Sequence, residues 1–271
     1  MSGDPTRRRQ GRVVDRQAKI LQILRTEGAV SVSALARRLA CSPMTIRRDL
    51  AVLARAQGMT RYHGTVAARA LVLESGFREQ MEAAADEKAT IAQAAHDMVE
   101  PGSVIGLNAG TTTTRLAEYL AADPKSVTVV TNAVNIAMLL IHAGVPVVVV
   151  GGALGSPRYG TSGPAAERQL DNLHLRDAFL GVSGVHPQFG FSTRSAPAAA
   201  IGAAFARAAE RVTVLADSRK FGECATYRML AWERVHMVVS DPAAREQAGA
   251  WADDIRLACR QHGAALVWTP V

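Results

Sequence analysis

The sequence predicts two domains, an N-terminal winged helix-turn-helix followed by a larger Rossmann-like, mainly parallel α/β domain. Three observations predict this. Basic charge is concentrated in the first quarter of the chain, where residues 1–70 carry 14 Lys or Arg against 4 Asp or Glu. A capped helix bearing Arg47 and Arg48 follows a short turn near residue 42. From residue 104 onward, short apolar runs alternate with small-polar loops and helical stretches. The boundaries read from these patterns are a basic arm over 1–14, the winged helix-turn-helix over 15–69, a connector over 70–87 and the α/β domain over 88–271.

At 271 residues, 48% hydrophobic and 20% charged, the chain can bury a full core and is not of disordered composition. The formal net charge of +7 is unevenly spread. Residues 71–271 hold 17 basic and 20 acidic side chains, so a basic small segment is joined to a slightly acidic large one. That asymmetry is the electrostatic footprint of a nucleic-acid reader attached to something else. A solvated tail accounts for Arg7, Arg8, Arg9 and Arg12 but leaves ten basic residues unexplained.

Cys41, Cys224 and Cys259 are far apart and form no CxxC pair, and the seven histidines show no HxxxH spacing. This argues for a reducing, cytoplasmic compartment and against a zinc site or disulfide framework. No apolar signal core follows the arginine-rich start. The uncharged stretch 136–155 is broken by His142, Gly144, Pro146, Gly151 and Gly152, and reads as helix end, turn, buried strand and glycine loop.

In the first domain, Ile20, Leu21, Ile23 and Leu24 form an apolar helical stripe stopped by Gly28. A second short helix after Val32 turns Leu35, Ala36 and Leu39 inward and Arg37 and Arg38 outward. Ser42 is an N-cap and Pro43 suits the first position of a third helix. Ile46, Leu50 and Leu53 share its buried face; Met44, Thr45, Arg47 and Arg48 lie elsewhere on its first turns. Met59–Tyr62 and Thr65–Ala67 can pair around His63-Gly64 as a wing carrying Arg61 and His63. Such a second helix fits the major groove, where an Arg fork suits guanine and a Thr methyl suits thymine. A three-helix bundle with solvated arginines would explain any one helix, but not the cap, the hairpin and the charge segregation together.

The α/β domain shows seven apolar runs, beginning at Val104, Val127, Val145, Ala178, Val212, His236 and Ala265. Continuous apolar strands alternating with helices indicate a parallel sheet covered on both faces. Ligands bind at the carboxyl ends of such strands. The loops there are Asn108–Thr114, Thr131-Asn132, Gly151-Gly152, Ser183-Gly184 and Asp217–Lys220. The Gly110–Thr113 run opens a helix whose N-terminus suits an anion. It is not a Walker A loop, and Gly151–Gly155 is not GxGxxG.

Ser31–Ala36, Thr45-Ile46-Arg47-Arg48-Asp49-Leu50 and Arg61-Tyr62-His63-Gly64-Thr65 resemble the DNA-binding signature of the DeoR family of bacterial regulators. Asp86-Glu87-Lys88, Gly110-Thr111-Thr112, Thr131-Asn132-Ala133, Gly151-Gly152, Gly163-Pro164 and Leu215–Gly222 resemble its sensor domain, whose fold is shared with ribose-5-phosphate isomerases and CoA transferases. The resemblance runs from about residue 15 to about 241. It implies a DNA-binding transcriptional regulator, usually a repressor, with Ser42, Met44, Thr45, Arg47, Arg48, Arg61 and His63 at double-stranded operator DNA. It also implies a phosphorylated sugar or related effector and a homo-oligomer, dimer or tetramer. The candidate effector residues are Lys88, Asn108, Ala109, Gly110, Thr111, Thr112, Thr131, Asn132, Gly151, Gly152, Ser183, Gly184, Arg194 and Lys220. No cofactor or metal is expected.

The chain departs from the family where Asp-Gly-Gly is usual and it has Asn108-Ala109-Gly110, and where Ala-Asp-Gly is usual and it has Val182-Ser183-Gly184. The acidic stretch ending in Lys is replaced by 196–202. The rival reading is a sugar-phosphate isomerase-like enzyme. Isomerisation needs a carboxylate base near the substrate carbon, and the matching position carries Ser183 with no base paired to it. A nucleoid-type DNA binder would leave the pocket-forming domain unexplained.

Overall fold

The computed structural model describes residues 13, 15–20, 23, 30–57, 59–62, 65–68, 77, 79–154, 159–243 and 250–269. Most of the basic arm, Leu21, Leu24, Gly28, Gly58, His63, Gly64 and connector residues 70–76 lie outside that set, as do the side chains of Arg47 and Arg61. The chain divides into two compact units, Met1–Glu79 and Gln80–Val271.

In the first unit, residues 15–20 are helical, followed by α1 (Val32–Arg38) and α2 (Pro43–Gln57). Ile20, Val32, Leu35, Ala36, Ile46, Leu50 and Leu53 form its core. The i, i+4, i+7 spacing of Ile46, Leu50 and Leu53 places them on one side of α2. Ser42 caps that helix, its Oγ accepting from the Thr45 N–H at 3.1 Å. The turn before it is a Schellman closure: the Cys41 N–H donates to the Ala36 carbonyl at 3.0 Å and the Ala40 N–H to Arg37 at 3.3 Å. Ala40 pays for this closure with φ +50°.

Asp49 is buried, and its carboxylate takes two hydrogen bonds from Arg16, Nε at 2.5 Å and Nη2 at 3.2 Å. This pair fastens the first helical stretch to α2, and the bond to Asp49 raises the Arg16 pKa above its ordinary value. Strands β2 (Met59–Tyr62) and β3 (Thr65–Ala68) form the antiparallel wing, in register Met59↔Ala68 to Tyr62↔Thr65. β1 (Val30–Ser31) joins through Val30↔Val66.

The second unit is built on seven strands: β4 (Val104–Leu107), β5 (Thr128–Thr131), β6 (Val147–Val149), β9 (Leu175–Gly181), β12 (Ala209–Leu215), β14 (Met237–Ser240) and β15 (Ala265–Trp268). They lie in the order β15-β14-β12-β9-β4-β5-β6, every pair parallel. Both faces are covered, as continuous apolar runs require. Ile105, Leu107, Val129, Phe179, Leu215 and Val239 point to one face. There they meet α3 (Ala85–Asp97), α4 (Thr111–Ala122) and α5 (Val134–His142). Val130, Ala178, Leu180, Val214 and Val238 point to the other. That face carries α6 (Pro164–Asp171), α7 (Ala196–Ala208) and α8 (Ala250–His262). Gly106 allows this close packing, since a Cβ there would lie 2.9 Å from the Phe205 ring.

Two small antiparallel sheets were not anticipated: β7 (Ala153–Leu154) with β8 (Thr161–Ser162), and β10 (Gly184–His186), β11 (Gly190–Thr193) and β13 (Tyr227–Leu230). Among the described residues, no helix is long and apolar enough to cross a membrane.

The left-handed alanine yields a test of the first unit. Ala40→Gly removes a steric cost of about 1 kcal/mol and is expected to raise the unfolding midpoint of this unit by thermal melting. A lowered midpoint would refute the closure described.

Candidate functional site

On α2, Met44 is 66% exposed and Arg48 is exposed, while Thr45 is half-buried. The Thr45 hydroxyl lies 2.9 Å from the Ser42 hydroxyl, so it belongs partly to the cap. No acidic residue occupies the first turn of α2. The polar start of this helix therefore presents positive partial charge and an Arg to a phosphate or base edge. Asp49, the acidic member of the Arg47-Arg48-Asp49 run, is turned inward to Arg16 and leaves the exposed side free of negative charge. Arg61 lies on β2, paired with Val66 across the wing.

In the second unit, a cavity of about 210 Å³ lies at the carboxyl ends of β4, β9 and β12, three neighbours in the sheet. It is smaller than the roughly 300–1,000 Å³ of drug-sized pockets and fits a small metabolite. Lys88, Gly110, Thr111, Thr112, Ser183, Arg194 and Lys220 are brought together in its wall. Gln80, Ala83, Gly181, Val182, Leu215, Asp217 and Arg219 complete it. Among the described lining residues, four cationic side chains thus face one carboxylate. Asp217 is tied to Arg219, Nε to Oδ1 at 2.8 Å.

The α4 N-terminus opens onto the cavity without a side-chain cap, so its first N–H groups are available to a ligand. Thr113 and Thr114 instead turn their hydroxyls to the Gly110 carbonyl, at 3.0 and 2.7 Å. Ser183 Oγ and Asp217 Oδ2 are buried and have no hydrogen-bond partner among the described residues. Buried polar atoms of this kind are costly unless something satisfies them. A ligand hydroxyl can donate to Asp217 and exchange a hydrogen bond with Ser183.

Lys88 is 3% exposed, and its ammonium donates to the Ala83 carbonyl at 2.7 Å and to the Gln80 carbonyl. Burial lowers its pKa from the ordinary 10.5 to about 8. Asp217 opposes that shift, and Arg219, Lys220 and Arg115 reinforce it. Among the described residues, no group of three or more His, Cys, Asp or Glu is placed to hold a metal.

The remaining candidates do not line this cavity. Asn108 bonds Gly181 twice, its Nδ2 donating to the carbonyl at 2.9 Å and its Oδ1 accepting from the N–H at 2.8 Å. Asn132 accepts from the Ala109 N–H at 3.0 Å and donates to the Thr161 carbonyl at 2.7 Å. Thr131 donates to the Leu107 carbonyl at 2.7 Å. Gly151 N–H bonds Gln169, and a Cβ on Gly152 would lie 2.6 Å from the Ser162 carbonyl oxygen. Gly184 is a strand residue paired with Ser192. The sheet order explains why Thr131, Asn132, Gly151 and Gly152 lie apart, because β5 and β6 lie beyond β4, away from β9 and β12. Asn108, Ala109 and Gly184 follow the cavity's own strands but are committed to main-chain bonds. Of the lining residues the sequence did not single out, Asp217 and Arg219 fall in the Asp217–Lys220 loop, and Leu215 ends the apolar strand before it. Gln80 and Ala83 carried no signal.

Asn108→Asp would remove the donor to Gly181 and set a carboxylate oxygen against its carbonyl. A loss of roughly 1–3 kcal/mol of stability is expected, read by chemical denaturation. An unchanged midpoint would show that the carboxamide pair is not a structural tie.

The chain matches the model of the DeoR-like helix-turn-helix domain over residues 16–70 and that of the DeoR C terminal sensor domain over residues 83–242. It is similar to the L-fucose operon activator of Haemophilus influenzae, at 31% identity over 91% of this chain and 96% of that protein. It is similar to the transcriptional repressor AccR of Agrobacterium fabrum, at 30% identity over 85% and 90%. It is also similar to the glycerol-3-phosphate regulon repressor of Escherichia coli, at 26% over 82% and 88%. Among solved structures it is similar to ribose 5-phosphate isomerase A of Methanocaldococcus jannaschii, at 21% identity, a TM-score of 0.38 and coverage of 50% and 54%. The sensor model alone spans more than half of the chain. The chain belongs to the DeoR family of transcriptional regulators, in which a DNA-binding helix-turn-helix is joined to a sensor domain for a small-molecule effector.

Proposed function

We propose that this regulator represses an operon of sugar or related metabolism in the cytoplasm, and that a phosphorylated sugar or similar polyhydroxy anion relieves the repression. The observation that carries this reading is the cavity at the ends of β4, β9 and β12. Lys88, Arg194, Arg219 and Lys220 surround the free N-terminus of α4, and Asp217 Oδ2 and Ser183 Oγ await hydrogen-bond partners. Cations and helix N–H groups suit a phosphate, and the two unpartnered oxygens suit hydroxyls. Relatives named for the L-fucose operon and the glycerol-3-phosphate regulon support the same class of metabolism.

The DNA contacts in this reading come from Ser42, Met44, Thr45, Arg47 and Arg48 on the recognition helix and from Arg61 and His63 on the wing. A single winged helix reads a short site, so a homo-oligomer on repeated half-sites supplies the specificity. The effector acts only to the extent that it prefers one arrangement of the protein, and DNA then changes effector affinity by the same factor.

The test is operator binding by fluorescence anisotropy on the promoter nearest the protein's own gene, with phosphorylated and free sugars. Arg48→Ala is expected to cost about 1–3 kcal/mol of affinity and relax base preference. Lys220→Ala is expected to abolish the response to a phosphorylated sugar and leave operator binding without effector intact. Loss of DNA binding in Lys220→Ala, or a response to free sugars alone, would refute the reading. A phosphorylated sugar that strengthens operator binding would refute the proposed relief of repression.

Lys88 gives this reading a pH dependence. The unfolded chain holds the Lys88 proton up to about 10.5 and the folded chain releases it at about 8. Unliganded stability contributed by this group therefore rises with pH across that window. Affinity for an anion falls as the ammonium is lost. Calorimetry between pH 7 and 9.5 reads both, and an affinity that rises with pH would contradict the role given to Lys88.

A further inference from the structure

The cations of the cavity serve the main chain as well as a ligand. Lys88 gives two of its three N–H donors to the carbonyls of Gln80 and Ala83. Arg219 Nη2 gives a third bond to the Ala83 carbonyl at 3.1 Å, while its Nε holds Asp217. Residues 80–83 follow directly on Glu79, the last residue of the first compact unit, so they begin the chain segment that links the sensor to the DNA-binding unit. The joint just after them is strained. Ala84 sits at φ +53°, ψ +50°, left-handed for a residue with a Cβ, and no side chain caps α3 behind it. A strained joint persists only where its surroundings hold it. The Lys88 main-chain N–H donates to the Ala84 carbonyl at 3.1 Å, and the side-chain bonds to the carbonyls just before it come from these two cations.

We infer that Lys88 and Arg219 form a latch on residues 80–83 that an anion in the cavity opens. The inference rests on the reading of the cavity as an anion site and adds how occupancy reaches the DNA-binding unit. A phosphate oxygen carries a full negative charge where a carbonyl oxygen carries a partial one, and it can take paired bonds from a guanidinium, so a phosphate in the cavity competes with the two carbonyls for the same donors. The carbonyl oxygens carry partial negative charge and are repelled by the incoming anion. With its donors withdrawn, the segment loses the side-chain bonds that offset the left-handed Ala84. The small bond count of the latch suits a switch, because only a small energetic difference must be reversed.

Hydrogen exchange of the full chain, followed by mass spectrometry over peptides covering residues 79–88, tests this with inorganic phosphate as the probe. Lys88→Met and Arg219→Ala are each expected to speed exchange in this stretch at least tenfold without ligand, with other sensor peptides unchanged. Arg219 is exposed, so its variant reports even if Lys88→Met fails to fold. Phosphate is expected to speed exchange of the same stretch in the wild-type protein and to add nothing in the double variant. Wild-type exchange in Arg219→Ala, or slower exchange on adding phosphate, would overturn the latch. Faster exchange in the variants, with no calorimetric heat of phosphate binding to the wild type, would refute the anion site and support the hold of the two cations on residues 80–83.

Discussion

The reciprocal pair between the Asn108 carboxamide and the main chain of Gly181 is the constraint on which the cavity depends. The β4–β9 ladder ends at Leu107↔Phe179. One step beyond, the side chain of Asn108 supplies a donor and an acceptor in place of a further backbone partner. The two strand ends are thereby held at ladder distance as they turn outward, which sets the α4 N-terminus beside Ser183. Asn132 repeats the device on the other flank by accepting from the Ala109 N–H. Only a carboxamide can do this, since a carboxylate has no donor to offer the Gly181 carbonyl. The chain's departure from the family's usual aspartate here exchanges a charge for a structural tie.

The charge balance of the cavity follows from the same exchange. Ser183 is neutral, the one carboxylate among the described lining residues is Asp217, and one of its oxygens is committed to Arg219. The lysine at the back is buried deeply enough for its proton to be lightly held. Such a site is poorly balanced when empty. An anion would offset both the mutual repulsion among its cations and the cost of burying the Lys88 ammonium. In the proposed reading, the site therefore favours occupancy by negative charge.

Much of this was legible in the sequence where the signal was local. The Ser42 cap, the inward face of α2 and the wing register depend on residues a few positions apart. The seven strands announced themselves as apolar runs, because a sheet covered on both faces needs no alternation. What was not legible depended on strand order. Thr131, Asn132, Gly151 and Gly152 sit on loops of the same kind as Gly110 and Ser183, and nothing in their composition tells which strands are neighbours. β13 was missed because Tyr227 and Arg228 are exposed and its partner β11 lies far away in sequence. Gln80 and Ala83 enter through their carbonyls, which every residue possesses. The tie between Asp49 and Arg16 lay hidden in a run that reads as recognition surface.

The position of β9 at the centre of the large sheet has a consequence for synthesis. β9 is flanked by β4, made some seventy residues earlier, and by β12, which ends at Leu215. The core of the sensor cannot close until the chain has passed that residue, and parallel pairings between distant segments are slow to form. The core of the first unit is complete once Leu53 and the wing have emerged. On the ribosome, where amino-terminal domains fold first, a folded helix-turn-helix exists before there is anything to govern it. A nascent or prematurely released chain would carry the grip on DNA without the means to release it.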